Sequence, residues 1–170
     1  MKPKKIKNIF LITFLSLIFK VSAQENDISS DLKWRNIGPA NMMGRIAAID
    51  ASNKDYRKVL IASASGGVFK SDNGGITWES IFDNYGAGSI GSVKFDQNNL
   101  NTIWVGTGES ANRNSSAWGD GIYKSVDGGK TFKNMGLKST HQIAEIEIHP
   151  NNPDIVYAAA VGHLWGYSGD

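Results

Sequence analysis

A hairpin turn is encoded in the stretch Ser125-Val126-Asp127-Gly128-Gly129-Lys130-Thr131-Phe132. The short side chain of Asp127 can accept hydrogen bonds from backbone N–H groups just after it in the turn. Gly128 and Gly129 can adopt the positive φ that such a turn requires. The flanking serine and threonine can bind other turn groups through their hydroxyls, and Phe132 begins an apolar return strand. The stretch therefore predicts the tight end of a β-hairpin.

A second copy lies upstream, in Ser71-Asp72-Asn73-Gly74-Gly75-Ile76-Thr77-Trp78. Asn73 stands where the other copy has Asp127, and an amide oxygen can accept the same backbone hydrogen bonds. The shared spacing S-x-D-x-G-x-T-[WF] resembles the Asp-box of the bacterial neuraminidase repeat family. We call residues 71–78 box 1 and residues 125–132 box 2. The box positions are Ser71, Asn73, Gly75, Thr77 and Trp78 in box 1, and Ser125, Asp127, Gly129, Thr131 and Phe132 in box 2.

The boxes are interpreted as structural elements that cap hairpins. The functional alternatives are a calcium-binding loop and a catalytic aspartate. A calcium loop of the EF-hand type needs further oxygen ligands at alternate positions and a glutamate at its end. Neither box supplies them. The sequence therefore predicts no metal site here, and the three histidines, His141, His149 and His163, have no ligand spacing that would make one elsewhere.

The N-terminus has the features of a secretory signal peptide. Four lysines within residues 1–7 precede an apolar run over residues 9–19, and the segment closes on Val21-Ser22-Ala23. The run is too short to cross a bilayer on its own and is followed by Lys20, so a retained anchor is the weaker alternative. We predict a signal peptide over residues 1–23, a linker over residues 24–31, and a secreted protein in the periplasm, at the cell surface or outside the cell.

Removal of the signal peptide reverses the sign of the net charge. The segment carries five of the 18 basic residues and no acidic one, which leaves 13 basic against 16 acidic side chains. No Lys/Arg cluster remains to bind phosphates, so nucleic acid is not an expected partner. The chain has no cysteine. An exported protein without disulfides must gain its stability from packed sheets.

Three segments align without gaps and predict a repeating unit. They begin at Ile46, Ile90 and Ile143, 44 and then 53 residues apart, and each reads as strand, polar turn, strand. A third strand runs into each box, and a fourth is expected to begin at Trp78 or Phe132. Four short antiparallel strands at this period are typical of β-propeller blades, whereas β-helices and sandwiches do not repeat a hairpin box at this spacing. We predict an all-β chain in which residues 32–170 form about two and a half blades, the N-terminal part of a larger propeller.

Further stretches narrow the resemblance to one group of propellers. They are Trp34-Arg35-Asn36-Ile37-Gly38-Pro39, Gly106-Thr107-Gly108-Glu109-Ser110, Trp118-Gly119-Asp120-Gly121-Ile122-Tyr123-Lys124-Ser125 and Gly162-His163-Leu164-Trp165-Gly166. They resemble the opening blades of large secreted bacterial proteins with sortilin-like, neuraminidase-repeat propellers, often labelled glycosyl hydrolase or sortilin N-terminal domain proteins. The resemblance covers residues 32–166. It implies the fold but not the chemistry, because propellers that share these boxes bind different ligands.

Ten extra residues between Thr107 and Gly121 form the insertion, where we expect ligand binding. Alternating strand directions place the boxes on one face of the propeller and the insertion on the other. The predicted ligand-binding residues are Arg45, Glu109, Arg113, Trp118 and Asp120. An indole stacks on the apolar face of a sugar, and carboxylates and guanidinium groups bind hydroxyl or carboxylate groups. The alternative is that these residues only tie the long loop to itself.

Catalysis finds weaker support in the sequence. Glu109 and Asp120 could form an acid/base pair of the glycosidase kind. Sialidases place an arginine in an Arg-Ile-Pro-like context near the start of the first blade, and here Arg45 is present without the proline. Propeller xyloglucanases carry a catalytic aspartate two residues before a glycine pair, where this chain has Ala64, which cannot transfer a proton.

We therefore assign no catalytic residue and no cofactor to the chain. The expected function is recognition of a glycan, peptide or protein ligand, without a membrane span in the mature chain and with further blades completing the propeller. The alternative is a glycoside hydrolase, sialidase-like or another propeller glycosidase, whose catalytic set lies largely beyond residue 170.

Overall fold

Every regular element in the described residues is a β-strand. The computed structural model describes residues 45–111, 114 and 116–162, so the predicted signal peptide, linker and residues 32–44 lie outside the described part of the chain. Within that part no helix is long and apolar enough to cross a membrane. The ten strands are β1 (Ile46–Ala51), β2 (Val59–Ser63), β3 (Gly67–Ser71), β4 (Glu79–Ser80), β5 (Ile90–Asp96), β6 (Asn99–Thr107), β7 (Ile122–Ser125), β8 (Lys133–Gly136), β9 (Ile143–Ile148) and β10 (Val156–Ala160).

The strands form three antiparallel sheets, as predicted for propeller blades. Strands β1 to β4 make blade 1 and strands β5 to β8 make blade 2, each in simple sequential order, and β9 with β10 makes the first half of blade 3. The fourth strands begin at Glu79 and Lys133, one residue after the expected starts. The fold class predicted from the sequence is thus confirmed.

The first strands of the three blades lie next to one another around the propeller axis. The N–H of Phe95 on β5 donates to Asp50 Oδ2 on β1 at 2.7 Å, and the N–H of Ile146 on β9 donates to Ser92 Oγ on β5 at 3.0 Å. Side chains on one inner strand therefore bond the backbone of the next. These contacts set the spacing of the blades at the axis.

The repeat read from the sequence also holds in the hydrogen bonds that close each blade. At the end of every second strand, a backbone N–H donates to the carbonyl just before the inner strand. The three bonds run from Ala64 N to Arg45 O at 3.0 Å, from Gly108 N to Ser89 O at 2.7 Å, and from Val161 N to Gln142 O at 3.0 Å. Donors and acceptors are both spaced by the periods of the sequence repeat, so the same bond occurs at equivalent positions of the three blades.

Two apolar cores join the blades. The first lies between blades 1 and 2 and contains aliphatic side chains of both sheets together with five aromatic rings, those of Phe82, Tyr85, Phe95, Tyr123 and Phe132. The second joins blade 2 to blade 3 through Trp104, Ile122, Ile143 and Ile146. Each fully buried aliphatic side chain contributes about 1.5–3 kcal/mol relative to an exposed one, so these cores account for much of the cohesion between neighbouring sheets.

In box 2, the polar side chains bond the turn backbone. Ser125 Oγ accepts the N–H of Gly129 at 2.9 Å. Asp127 Oδ1 accepts the N–H of Thr131 at 2.9 Å, and Asp127 Oδ2 accepts the hydroxyl of Thr131 at 2.6 Å. The N–H of Gly128 donates to Asn101 O at 2.9 Å, which places the box beside the turn between the first two strands of blade 2.

Box 1 repeats this geometry with an amide in place of the carboxylate. Ser71 Oγ accepts the N–H of Gly75 at 2.8 Å, and Asn73 Oδ1 accepts the N–H of Thr77 at 2.9 Å. The amide nitrogen of Asn73 donates to the hydroxyl of Thr77 at 2.8 Å, which reverses the direction of the bond seen in box 2. The threonine hydroxyl rotates to suit either partner, so Asn and Asp both fit the position.

The Asp127→Asn variant is expected to change the acid sensitivity of the complete protein. Hydrogen bonds from the hydroxyl and N–H of Thr131 and from Ser125 hold the pKa of Asp127 well below its ordinary value of 3.8. A carboxyl whose pKa is lowered in the folded state contributes stability above pH 3.8 that is lost as the pH falls below it. Because the variant lacks this titration, its melting temperature should approach that of the wild type between pH 5 and pH 3. A constant difference in melting temperature across that range would contradict the hydrogen-bonding role.

Candidate functional site

A cleft of about 390 Å³ opens between the three inner strands on the side of the insertion. Its lining includes equivalent positions of β1, β5 and β9, which are occupied by Ala47, Gly91 and Ala144. A Cβ on Gly91 would lie 2.2 Å from Ile143 O, so only glycine lets β5 approach β9 this closely. Small residues at one level in all three blades thus produce the cleft. We call it the insertion-face cleft.

An ion pair between two blades stands at the mouth of this cleft. Arg45 immediately precedes β1 and Glu109 follows β6, 64 residues later, and Arg45 Nη2 donates to Glu109 Oε1. The side chain of Arg45 is 37% exposed, whereas that of Glu109 is 2% exposed. The N–H of Glu109 donates to Ser89 Oγ at 3.0 Å, which holds the residue in place.

The second carboxylate oxygen of Glu109 has no partner among the described residues. Glu109 Oε2 is buried and forms no hydrogen bond with any described residue. A buried acceptor without a donor costs about 1–3 kcal/mol, and such groups are uncommon in folded proteins. Glu109 also lines the insertion-face cleft. The cleft therefore contains a buried acceptor that a ligand can satisfy.

The deeper part of the cleft is charged. Lys94 Nζ on β5 lies 3.0 Å from Glu147 Oε1 and 3.5 Å from Glu145 Oε1, both on β9. Burial acts to lower the pKa of Lys94, but the hydrogen bond to Glu147 and the charges of both glutamates outweigh it and raise the pKa above its ordinary value. Lys94 is therefore a cation at neutral pH, and it is shared between two carboxylates.

A second cleft of about 260 Å³, the box-face cleft, lies on the other side of Lys94. Asp50, Asp96 and Glu147 are among its acidic lining residues, and Lys94 lines both clefts. Burial raises the pKa of Asp50, although the hydrogen bond from the Phe95 N–H and the charge of Lys94 act in the opposite direction. Lys94 therefore lies where the two clefts adjoin.

The insertion carries Trp118 away from the cleft. Its indole is 59% exposed and packs edge to face on the ring of His141, with ring centroids 4.7 Å apart. The N–H of Gly119 donates to His141 O at 2.8 Å, so the loop returns against the segment that leads into β9. Trp118 is not among the residues that line either cleft. Arg113 lies outside the described residues.

Asp120 holds the base of the insertion. Its Oδ2 accepts the hydroxyl of Tyr123 at 2.6 Å, its Oδ1 accepts the hydroxyl of Thr107 at 3.3 Å, and its N–H donates back to Thr107 Oγ1 at 2.8 Å. Because the single hydroxyl proton of Thr107 also has Gly121 O as an acceptor at 2.6 Å, the firm contacts of Asp120 are the bond from Tyr123 and the bond from its own N–H to Thr107. This geometry corresponds to the alternative in which the residue ties the loop to itself, and it gives Asp120 no shared site with Glu109.

The structure thus brings together two of the five predicted ligand-binding residues, Arg45 and Glu109. Sequence reasoning did not select Asp50, Lys94 and Glu147, which face one another at the axis. The available signal was that these three occupy equivalent positions of the aligned repeats, 44 and 53 residues apart. Among the described residues, no group of three or more His, Asp or Glu side chains is placed to hold a metal ion.

Comparison with known proteins shows similarity in structure but not in sequence family. No protein-family model matches the chain, and no curated protein matches it significantly. The structure is similar to that of an ancestral GH74 enzyme, with a TM-score of 0.53 and 18% identity over 70% of this chain and 17% of the enzyme. The GH74 enzyme of Niastella koreensis has a TM-score of 0.50 and 23% identity over 61% of this chain and 16% of the enzyme.

A third similar structure is YCF48 from Cyanidioschyzon merolae, with a TM-score of 0.47 and 20% identity over 72% of this chain and 36% of that protein. The chain spans about a sixth of the length of the two GH74 enzymes. The two GH74 enzymes are β-propellers, so the chain has the fold of part of a β-propeller.

Proposed function

We propose that this chain supplies the opening blades of a secreted, sortilin-like propeller with neuraminidase-repeat boxes, which binds a glycan or protein ligand at the insertion-face cleft. The observation that carries the proposal is Glu109, whose carboxylate is buried at the mouth of the cleft with Oε2 unpaired among the described residues. A ligand that donates a hydrogen bond to Oε2 recovers the free energy that this buried acceptor costs in the free protein.

Arg45 supports binding at the same place. Its guanidinium group is partly exposed and has five N–H donors in a planar fork, so it can bind an acceptor on the ligand while it holds Glu109. The pair therefore offers an acceptor and a donor side by side. Sugars and peptides both present neighbouring donor and acceptor groups, which is why both ligand classes belong to the proposal.

The experiment that tests this function begins with glycan and peptide arrays probed with the complete protein. The ligands found are then titrated against the wild type and the Arg45→Gln variant, with a thermal melt of each protein to show that both are folded. Binding through the cleft predicts at least a tenfold loss of affinity in the variant. Wild-type affinity in a folded Arg45→Gln protein would place the ligand elsewhere.

A glycoside hydrolase is the second candidate, and the similarity in fold to GH74 enzymes favours it. Ala64 is almost fully buried and carries no acid/base group, so a catalytic set of the xyloglucanase kind is incomplete at that position. A hydrolase of another kind would draw its carboxylates largely from beyond residue 170. Turnover of the array glycans by the complete protein, abolished in Glu109→Gln, would support a catalytic role for Glu109. Binding without turnover supports recognition.

The exposed indole of Trp118 tests whether the ligand extends from the cleft onto the insertion. In the Trp118→Ala variant we expect binding to weaken by about 1–3 kcal/mol, the usual cost of removing an aromatic anchor. Tyr56→Ala is the matched control, since Tyr56 is also an exposed aromatic residue but lies in the turn between β1 and β2, on the face of the boxes. Equal affinities of the two variants in calorimetric titration would show that Trp118 does not contact the ligand.

A further inference from the structure

The chemistry of Glu109 restricts what the ligand presents to the cleft. The carboxylate is ion-paired with Arg45 through Oε1, and Oε2 is the atom left without a partner among the described residues. An ionised carboxylate oxygen can only accept hydrogen bonds. The ligand group that reaches Oε2 must therefore be a donor, either a neutral hydroxyl or amide or a positively charged amine.

The charges around the axis distinguish between these donors. Five acidic side chains line the two clefts, Asp50, Asp96, Glu109, Glu145 and Glu147, whereas the basic lining residues are Arg45 and Lys94. Each of the two basic groups is already paired with a carboxylate. The two acidic and two basic residues that line the insertion-face cleft cancel in charge, so the net negative charge comes from Asp50, Asp96 and Glu147 of the box-face cleft. The negative potential of these three carboxylates extends along the axis to the insertion-face cleft. A cationic donor is attracted by this field and a neutral donor is not.

The walls of the insertion-face cleft between the Arg45–Glu109 pair and Lys94 suit an aliphatic chain. Ala47, Gly91, Ala111 and Ala144 line the insertion-face cleft and offer methyl and backbone contacts without polar side chains. Ala47 and Asp50 are three residues apart on β1, a distance of roughly 10 Å along the strand. An extended lysine side chain packs its methylene groups on apolar surface while its ammonium group seeks polar partners. The insertion-face cleft provides both environments, an apolar wall at Ala47, Gly91 and Ala144 and a carboxylate at Glu109.

We infer that the ligand is a peptide or protein segment that places a protonated primary amine against Glu109 Oε2, with its alkyl chain on the alanine-lined wall of the cleft. This inference rests on the proposed function and narrows it from glycan or protein ligands to amine-bearing ones. A lysine side chain and a peptide N-terminus share this chemistry.

Four probes titrated by calorimetry into the complete protein distinguish a lysine side chain from a peptide N-terminus as the source of the amine. They are tetralysine with a blocked N-terminus, tetra-alanine amide with a free N-terminus, tetralysine with every amine acetylated, and cellotetraose. A lysine side-chain site binds the first, and an N-terminal site binds the second. In both cases the fully acetylated peptide is expected to bind at least tenfold more weakly, and affinity is expected to fall as the salt concentration rises. Equal affinity of the acetylated peptide would overturn the inference.

Three variants locate the amine. Glu109→Gln keeps the shape of the side chain and removes its charge, so it is expected to reduce affinity for the amine probe at least tenfold. Glu145→Gln changes an exposed carboxylate of the same cleft, carries little risk to folding, and is expected to reduce affinity about threefold. Glu79→Gln removes an exposed carboxylate on β4, away from both clefts, and is expected to leave affinity unchanged. An equal loss in Glu79→Gln would show general charge attraction and overturn the site.

The outcomes also separate this inference from the proposed function. If cellotetraose binds and is weakened by Arg45→Gln while the amine probes do not bind, the cleft is a recognition site for neutral glycans and the amine inference is wrong. If no probe and no array ligand depends on Arg45, the proposed function itself fails. If the amine probes bind and their affinity depends on Glu109, both the amine inference and the proposed function are supported.

Discussion

Replacement of Gly108 by alanine is expected to separate blade 2 from blade 3 and to destabilise the complete protein by about 2–5 kcal/mol. Gly108 has a φ of +84°, and a Cβ at this position would lie 1.9 Å from His141 O and 2.9 Å from Gly119 N. The backbone conformation costs about 1–2 kcal/mol for a residue with a side chain, and the overlap adds about 1–3 kcal/mol. Urea unfolding monitored by tryptophan fluorescence measures the loss.

Gly74→Ala is the matched control for this prediction. Gly74 has a similar φ of +73°, but a Cβ there would meet nothing within 4 Å. The control therefore carries the conformational cost alone, about 1–2 kcal/mol. If the two variants unfold at the same urea concentration, the close approach of Gly108 to the segment before β9 contributes nothing to stability, and the proposed junction between blades 2 and 3 is wrong.

Phe82→Ala is expected to destabilise the protein by about 3–5 kcal/mol, the usual cost of removing a buried phenylalanine side chain. Phe82 is 1% exposed and lies between β4 and β5. Its ring stacks on Tyr85 at 4.7 Å and meets the edges of Tyr123 and Phe132 at 5.2 and 5.1 Å. Rings from blade 2 thus close around a residue of the connection between the blades, and its truncation leaves a cavity at the centre of the first core.

Thermal melts of Phe82→Ala and of Ile76→Ala measure this effect against a surface position. Ile76 is 82% exposed in box 1, so its truncation is expected to change stability by no more than about 0.5 kcal/mol. A melting temperature of Phe82→Ala near that of the Ile76 variant would contradict the central position of the ring. The leucine of the Phe82→Leu variant fills most of the cavity, so its melting temperature is expected to lie between those of Phe82→Ala and Ile76→Ala.

The strands were predictable from the sequence because each depends on a short-range pattern. The strands are short runs rich in apolar and β-branched residues, turn residues separate them, and boxes 1 and 2 recur at matching points of the repeat. The insertion and the faces on which the boxes and the loop lie follow from strand direction alone. Only the starts of the fourth strands were displaced, by one residue, because the box aromatic belongs to the turn rather than to the ladder.

The candidate site was predicted only in part. Arg45 and Glu109 were both selected, but as members of a ligand-binding site on the insertion that included Trp118 and Asp120. In the structure Asp120 is bound by Tyr123 and Thr107, and Trp118 rests on His141. Proximity in sequence suggested one site, whereas the return of the loop onto the next blade divides these side chains between different neighbours.

The sequence by itself determined the all-β fold, the period of the blades and the form of the hairpin turns, because these depend on local hydrogen bonds and on the alternation of side chains along each strand. Only the tertiary structure decided that Glu109 pairs with Arg45 across blades and that Asp50, Lys94 and Glu147 meet at the axis. Such contacts join residues that are far apart in the chain, and they depend on how closely the inner strands approach, which is set by the packing of whole sheets around small residues such as Gly91.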